Sequence, residues 1–267
     1  MGESADSIKM GFWEHVEVLR FVLLKSLGVI AVFTAGFFFA LPWLFDHVIL
    51  APCHPDFPLY TLLTAISSLS NLFPDLSITG HTVELINIQL ASQFFIHMTT
   101  SFWLGVVFSF PFIIFFIWNF ISPGLYPREK QGIKKAFLIG NIMFYLGVAT
   151  GYFLVFPLTL RFLADYQISS SIPNQISLDS YMDNFMVLIL VMGIIFELPL
   201  LAWLIGKAGI INKSFFKKFR RHAIVILLAL AAIVTPTGDP FTLLVVFFPI
   251  YSLWELSIFL VPSPNTD

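Results

Sequence analysis

One carboxylic acid, Glu197, stands near the middle of the apolar run Phe185 to Ile205, FMVLILVMGIIFELPLLAWLI. A run of this length at ~1.5 Å per residue crosses a hydrocarbon core of about 30 Å. Its Phe, Val, Leu and Ile side chains each favour insertion by roughly 0.3–0.6 kcal/mol, whereas a mid-membrane acid costs about 3 kcal/mol. The helix inserts, and the acid must face protein, a wet hollow or a ligand rather than lipid. Two chemistries are open to it: a functional intramembrane polar site, or a structural acid bonded to a neighbouring span. Pro199, two residues on, removes a backbone donor and invites a bend beside the acid.

Three further acids lie among basic residues: Glu14 and Glu17 ahead of the first apolar run, and Glu129 within YPREKQ. Local neutralisation is one reading, with Glu17 pairing Arg20 at i+3. The other is a carboxylate pair that receives a cationic ligand. Guanidinium groups bind carboxylates through two parallel hydrogen bonds, so an arginine-bearing peptide would fit better than a lysine one. His47, His54 and His81, with Asp46 and Asp56, match no tight metal-ligand spacing and read as solvated loop residues. Neither a phosphate-cradling loop, a nucleophile elbow nor a metalloprotease helix motif is present, so nothing points to catalysis, a cofactor or nucleic acid.

The elements that carry these groups follow from composition. The 267 residues are 58% hydrophobic and 11% charged, with mean hydropathy +0.88, which excludes an ordinary soluble domain. The single cysteine, Cys53, allows no intrachain disulfide. The first apolar run is longer than a signal core and lacks a small-residue cleavage site, so no cleavable signal peptide is expected.

A single membrane domain with six spans is expected, at about 21–45, 94–121, 136–160, 184–206, 222–235 and 241–261. Ahead of them, Phe12, Trp13, Val16 and Leu19 share a helical face, which predicts a short surface helix. Asp46 to Gln93 has no Lys or Arg and reads as a long polar-rich loop, with Leu59 to Phe73 as an interfacial helix. Pro111 should bend the second span, and Gly140, Gly147 and Gly151 in the third should let helices approach closely. Arg161 to Asp183 reads as a polar loop. Trp43, Trp118 and Trp203 sit where interface anchors would.

The last two runs, Ala223 to Val234 and Phe241 to Trp254, are short and flank the turn Thr235 to Pro240. They read as two short spans rather than a re-entrant hairpin, because Phe241 to Val261 can extend past Glu255 and Asp239 needs water. Thirteen of the 14 Lys and Arg fall in alternate segments: Lys9, Arg20 and Lys25; Arg128, Lys130, Lys134 and Lys135; Lys207, Lys213, Lys217, Lys218, Arg220 and Arg221. Arg161 alone falls in the opposite set. The positive-inside rule then puts both termini in the cytoplasm.

Five pieces in order resemble the TatC family: His15 to Arg20 (HVEVLR), Trp118 to Tyr126 (WNFISPGLY) with Glu129, Phe144-Tyr145 with Tyr152 to Pro157 (YFLVFP), Phe196 to Pro199 (FELP) and Thr235 to Pro240 (TPTGDP). The resemblance implies the multispan receptor of the twin-arginine translocase, a concave, glove-like bundle in the plasma (inner) membrane. It would bind twin-arginine signal peptides of folded precursors on its cytoplasmic side. It would assemble with single-span TatA/TatB-type proteins and other copies of itself, and use the proton-motive force. By motif position, Glu129 corresponds to a signal-peptide carboxylate, Glu197 to the acid inside the scoop and Asp239 to the acid at the outer turn. Two positions depart from the family pattern. Val18 stands where a Glu is usual, leaving Glu17 or Glu14 with Arg20 for the second contact, and Leu243 stands where a Gln is frequent. Short last spans would thin the bilayer locally. The competing reading is a proton-coupled small-solute carrier with Glu197 as proton site; it expects matching halves, and no second intramembrane acid occupies a corresponding place.

Overall fold

A computed structural model describes residues 12–69, 82–122, 127–169, 171–172, 174–207, 209–235 and 238–261; side chains at 12, 14–15, 66–69 and 127–133 fall outside that description. The helices are α1 (Phe12–Leu44), α2 (Pro58–Leu69), α3 (Ser92–Ile121), α4 (Pro127–Thr150), α5 (Phe156–Asp165), α6 (Leu178–Ile195), α7 (Leu198–Lys207), α8 (Lys213–Lys218), α9 (Arg220–Val234) and α10 (Pro240–Leu260). β1 (Leu85–Ile86) pairs in parallel with β2 (Ile176–Ser177), a two-residue tie between the two long polar loops.

By length and composition, five helical runs among the described residues can cross a membrane: 16–65, 92–121, 134–165, 178–207 and 240–260. At 15 residues, α9 reaches only about 22 Å, short of a 30 Å core. The expected surface helix before residue 21 is not separate: α1 runs unbroken from Phe12 to Leu44, because neither Gly nor Pro interrupts the ladder between 12 and 27. Nor is the last helix short. At 21 residues α10 runs through Glu255, since that acid is met by Arg220 and Tyr251 and need not end the helix. The second polar loop is also narrower than expected, because α5 continues to Asp165 and α6 starts at Leu178, where Ser177 caps it. The helix expected within the first loop is α2, starting at Pro58 and ending at Leu69; residues 70–73 lie outside the described residues.

α1 packs antiparallel on α3. Phe37 packs tilted against Phe108 with ring centroids 4.8 Å apart, and Phe33 against Phe112 at 5.6 Å. Gly105 makes the approach possible: a Cβ there would lie 2.4 Å from Thr34 Oγ1 and 2.9 Å from its backbone N. Gly147 in α4 and Gly151 just after it do the same against α6. A Cβ on Gly147 would lie 2.4 Å from the Met192 carbonyl oxygen, and one on Gly151 would lie 2.9 Å from Ile189 Cα. Such small-residue seams let helix backbones touch where lipid supplies no hydrophobic drive.

The prolines show how the bundle tolerates broken ladders. Pro42, Pro52 and Pro111 offer no N–H to the carbonyls of Phe38, Val48 and Val107. Each of those carbonyls takes a side-chain donor from another element: His97 Nε2 at 2.8 Å, the Tyr152 hydroxyl at 2.8 Å and the Tyr145 hydroxyl at 3.3 Å. A carbonyl only accepts, so His97 carries its proton on Nε2. α3 passes Pro111 without a break.

The segment after α1 is held the same way. The Tyr181 hydroxyl donates to the Ile49 carbonyl, and the Tyr60 hydroxyl lies 2.9 Å from the Pro52 carbonyl and 3.2 Å from that of Pro157. Arg161, expected on a solvated loop, is 3% exposed with its guanidinium 4.6 Å above the Tyr60 ring. Beside it Cys53 is buried.

Candidate functional site

Glu197 sits at a break. Pro199 cannot donate to the Ile195 carbonyl, and its ring clashes with that oxygen, so α6 ends at Ile195 and α7 restarts at Leu198. At the junction Glu197 N donates to the Ile194 carbonyl at 3.1 Å, one residue closer than in an α-helix, and the Glu197 carbonyl accepts from Leu201 N at 2.9 Å. The side chain is half-buried and turned towards α4. Gly140 gives it room: a Cβ on that glycine would lie 3.0 Å from Oε2. Among the described residues, buried Oε1 has no hydrogen-bond partner. Asn141, next to Gly140, likewise keeps an unpartnered Oδ1, its Nδ2 being spent on the Phe137 carbonyl at 3.0 Å. The acid therefore faces protein, and its unmet acceptor is the kind of group a ligand or partner completes.

The surface acids are placed by helix register. Glu14, Glu17 and Arg20 lie in the first turns of α1, and Glu17 and Arg20 are exposed. Glu129 is the third residue of α4; its side chain, like that of Glu14, lies outside the described residues. Descending numbers on α1 meet ascending numbers on α3, as the pairs Phe37–Phe108 and Phe33–Phe112 show. The start of α1 thus lies at the same end of the bundle as the end of α3 and the start of α4.

Asp239 lies at the other end of α9 and α10, where it caps α10 by accepting from Thr242 N at 2.7 Å. Gly238 before it has φ 62°, a left-handed turn conformation that Gly adopts at no steric cost. Of the histidines, His47 lies 2.9 Å from its own helix's Trp43 carbonyl and stacks on that indole, while His81 lies outside the described residues. An apolar hollow of about 180 Å³ between α3 and α6 is lined by residues including Trp103, Val107, Phe108, Tyr152, Ile189 and Leu190.

A family profile described as Sec-independent protein translocase protein (TatC) matches residues 14–249. The chain belongs to the TatC family. A relative from Blattabacterium sp. subsp. Periplaneta americana, a Sec-independent protein translocase protein TatC, is 34% identical over 253 residues, covering 94% of this chain and 95% of its own. Another, from Desulforapulum autotrophicum, is 30% identical over 255 residues, covering 96% and 85%. Two crystal structures of the twin-arginine translocase receptor TatC, one of them in DDM, match at 28% identity, with TM-scores of 0.68 and 0.73. Each covers 92% of this chain, and 97% and 99% of the solved chains.

Membership in TatC makes this a multi-pass membrane protein of protein transport, and the small-solute carrier reading of Glu197 finds no support among these relatives. Sequence reasoning missed the partners of the proline-freed carbonyls, the buried Arg161 and the Arg220–Glu255 pair. Only the last left a signal, an acid interrupting an apolar run.

Proposed function

We propose that this chain is the receptor component of the twin-arginine translocase, a six-span inner-membrane protein with both termini cytoplasmic. It binds twin-arginine signal peptides of folded precursors at the end of the bundle where α1 and α4 begin. The observation that carries this reading is register: the antiparallel α1–α3 pair brings the Glu14–Glu17 turn and the Glu129 turn to one end. Paired carboxylates there suit two guanidinium groups, with Glu17, exposed on α1, taking the place of the family Glu lost at Val18. The peptide's apolar core then lies along the spans. Glu197 is the acid inside the scoop beside that core, Asp239 stands at the outer turn, single-span TatA/TatB-type partners assemble with the chain, and transport draws on the proton-motive force. Short α9 thins the bilayer beside the site.

Cross-linking a twin-arginine peptide and its twin-lysine version to the full chain tests this. Labelling should be strong for arginine on the native chain and weaker for lysine. It should fall on Glu129→Ala and on Glu17→Ala, with Glu14→Ala the smaller loss. Equal labelling of all combinations would remove the receptor reading.

A further inference from the structure

The basic segment that leads into α9 has features the receptor reading does not use. From Leu198 to Gly238 the sequence contains no acidic residue, while Lys207, Lys213, Lys217, Lys218, Arg220 and Arg221 fall within it. Arg220 is matched by Glu255 on α10, Nη2 to Oε2 2.5 Å. Three of the lysines lie over aromatic rings: Lys207 over Trp203 at 5.1 Å, Lys213 over Phe259 at 5.7 Å and Lys218 over Phe219 at 5.9 Å. Lys217 and Arg221 are exposed, and among the described residues neither has an acidic partner.

These two cations lie about one turn apart, on either side of Phe219. α8 and α9 are separated by Phe219 alone, whose ψ of 10° interrupts the α-helix; its N still donates to the Phe215 carbonyl at 3.0 Å and its carbonyl accepts from Ala223 N at 2.8 Å, so the chain keeps turning at close to helical pitch. Lys217 and Arg221 are thus spaced i, i+4, and the next residues at that spacing are Val225 and Ala229, both exposed. Directly beyond two free cations the helix presents an apolar track. On its other side α8 is anchored, because Phe216 is buried against Trp254 with ring centroids 4.8 Å apart.

A cation pair above an uninterrupted apolar helix face has the shape of a phospholipid, phosphate above and acyl chain below. A soluble anion would use only the first part. The short α9 strengthens the case, since a helix reaching about 22 Å draws headgroups towards its ends. We propose that Lys217 and Arg221 hold the phosphate of an acidic phospholipid, whose acyl chain lies along Val225 and Ala229. The site rests on α9 crossing the bilayer, but not on signal-peptide binding. Loss of lipid leaves the peptide cross-linking result unaffected, so the two readings fail separately.

Native mass spectrometry of the full chain tests the site, using phosphatidylglycerol, phosphatidylcholine with the same acyl chains, and the soluble headgroup glycerophosphoglycerol. Phosphatidylglycerol should be retained preferentially. Lys217→Gln with Arg221→Gln should weaken retention about thirtyfold, from the usual contribution of a basic residue near an anionic surface. The charge-keeping pair Lys217→Arg with Arg221→Lys should retain the lipid, as should Lys134→Gln with Lys135→Gln on α4. Equal retention of phosphatidylcholine, equal loss in both Gln pairs, or capture of the headgroup without its chains would each overturn the proposal.

Discussion

Gly140 of α4 faces Glu197 at the junction of α6 and α7: a Cβ added to the glycine would lie 3.0 Å from the carboxylate Oε2 and 2.6 Å from Leu200 Cδ2. Both obstacles are the far ends of flexible side chains. Gly140→Ala is therefore expected to cost under about 1 kcal/mol of stability while moving the acid. Gly147→Ala meets the backbone of Met192 and Gly193 at 2.4 and 2.8 Å, and should cost about 1–3 kcal/mol or more. Thermal melts of both variants in one detergent read the difference. Equal losses would mean that the Glu197 side chain is as fixed as backbone.

Replacing the acid itself separates fold from function. Glu197→Gln keeps the shape and removes an ionisable group from the membrane interior, so the melting temperature should hold or rise while export of a twin-arginine substrate falls. Export at the native level in Glu197→Gln cells would make the acid structural rather than functional.

The proline-freed carbonyls permit a cleaner test. His97→Phe leaves the Phe38 carbonyl without its donor at 2.8 Å and should cost about 0.6–2 kcal/mol, the range for hydrogen bonds between membrane helices. Pro42→Ala restores an N–H to that carbonyl, so in its background His97→Phe should cost much less. A double-mutant cycle by thermal or denaturant unfolding checks it, and strict additivity would show that His97 does not act through Phe38.

How far the sequence shows this arrangement depends on the kind of interaction. The apolar runs, the glycine seam beside α6 and the break at Pro199 follow from backbone rules that are local to a few residues, whereas the ends of α1, α5, α6 and α10 depend on contacts those rules do not contain. The Glu197 environment was half legible. Burial of an acid in a span demands a protein-facing side, but that Gly140 provides the space depends on α4 register. The donors to Phe38, Val48 and Val107 come from residues 38 to 104 positions away, a pairing that no periodicity encodes. Reading Arg161 as loop failed for a related reason: its burial depends on Tyr60, about a hundred residues earlier, folding over the same corner.

Glu255 shows how an acid can sit within an apolar helix without ending it. Its Oε2 accepts from Arg220 at 2.5 Å and its Oε1 from the Tyr251 hydroxyl at 3.0 Å, which joins the start of α9 to the last turns of α10. The partners differ in what happens when one is lost. The Arg220 side chain is 48% exposed and can turn to water, whereas that of Glu255 is 26% exposed and lies against the membrane helix. Arg220→Gln should therefore destabilise more than Glu255→Gln, because it leaves the less solvated charge unmatched. The double variant should recover most of the loss. Exposure limits the pair itself to about 1 kcal/mol, so the ranking of the three melting temperatures is the informative result. If Glu255→Gln proved the worse variant, the arginine rather than the acid would be the group that depends on this contact, and α10 would need another explanation for running past residue 255.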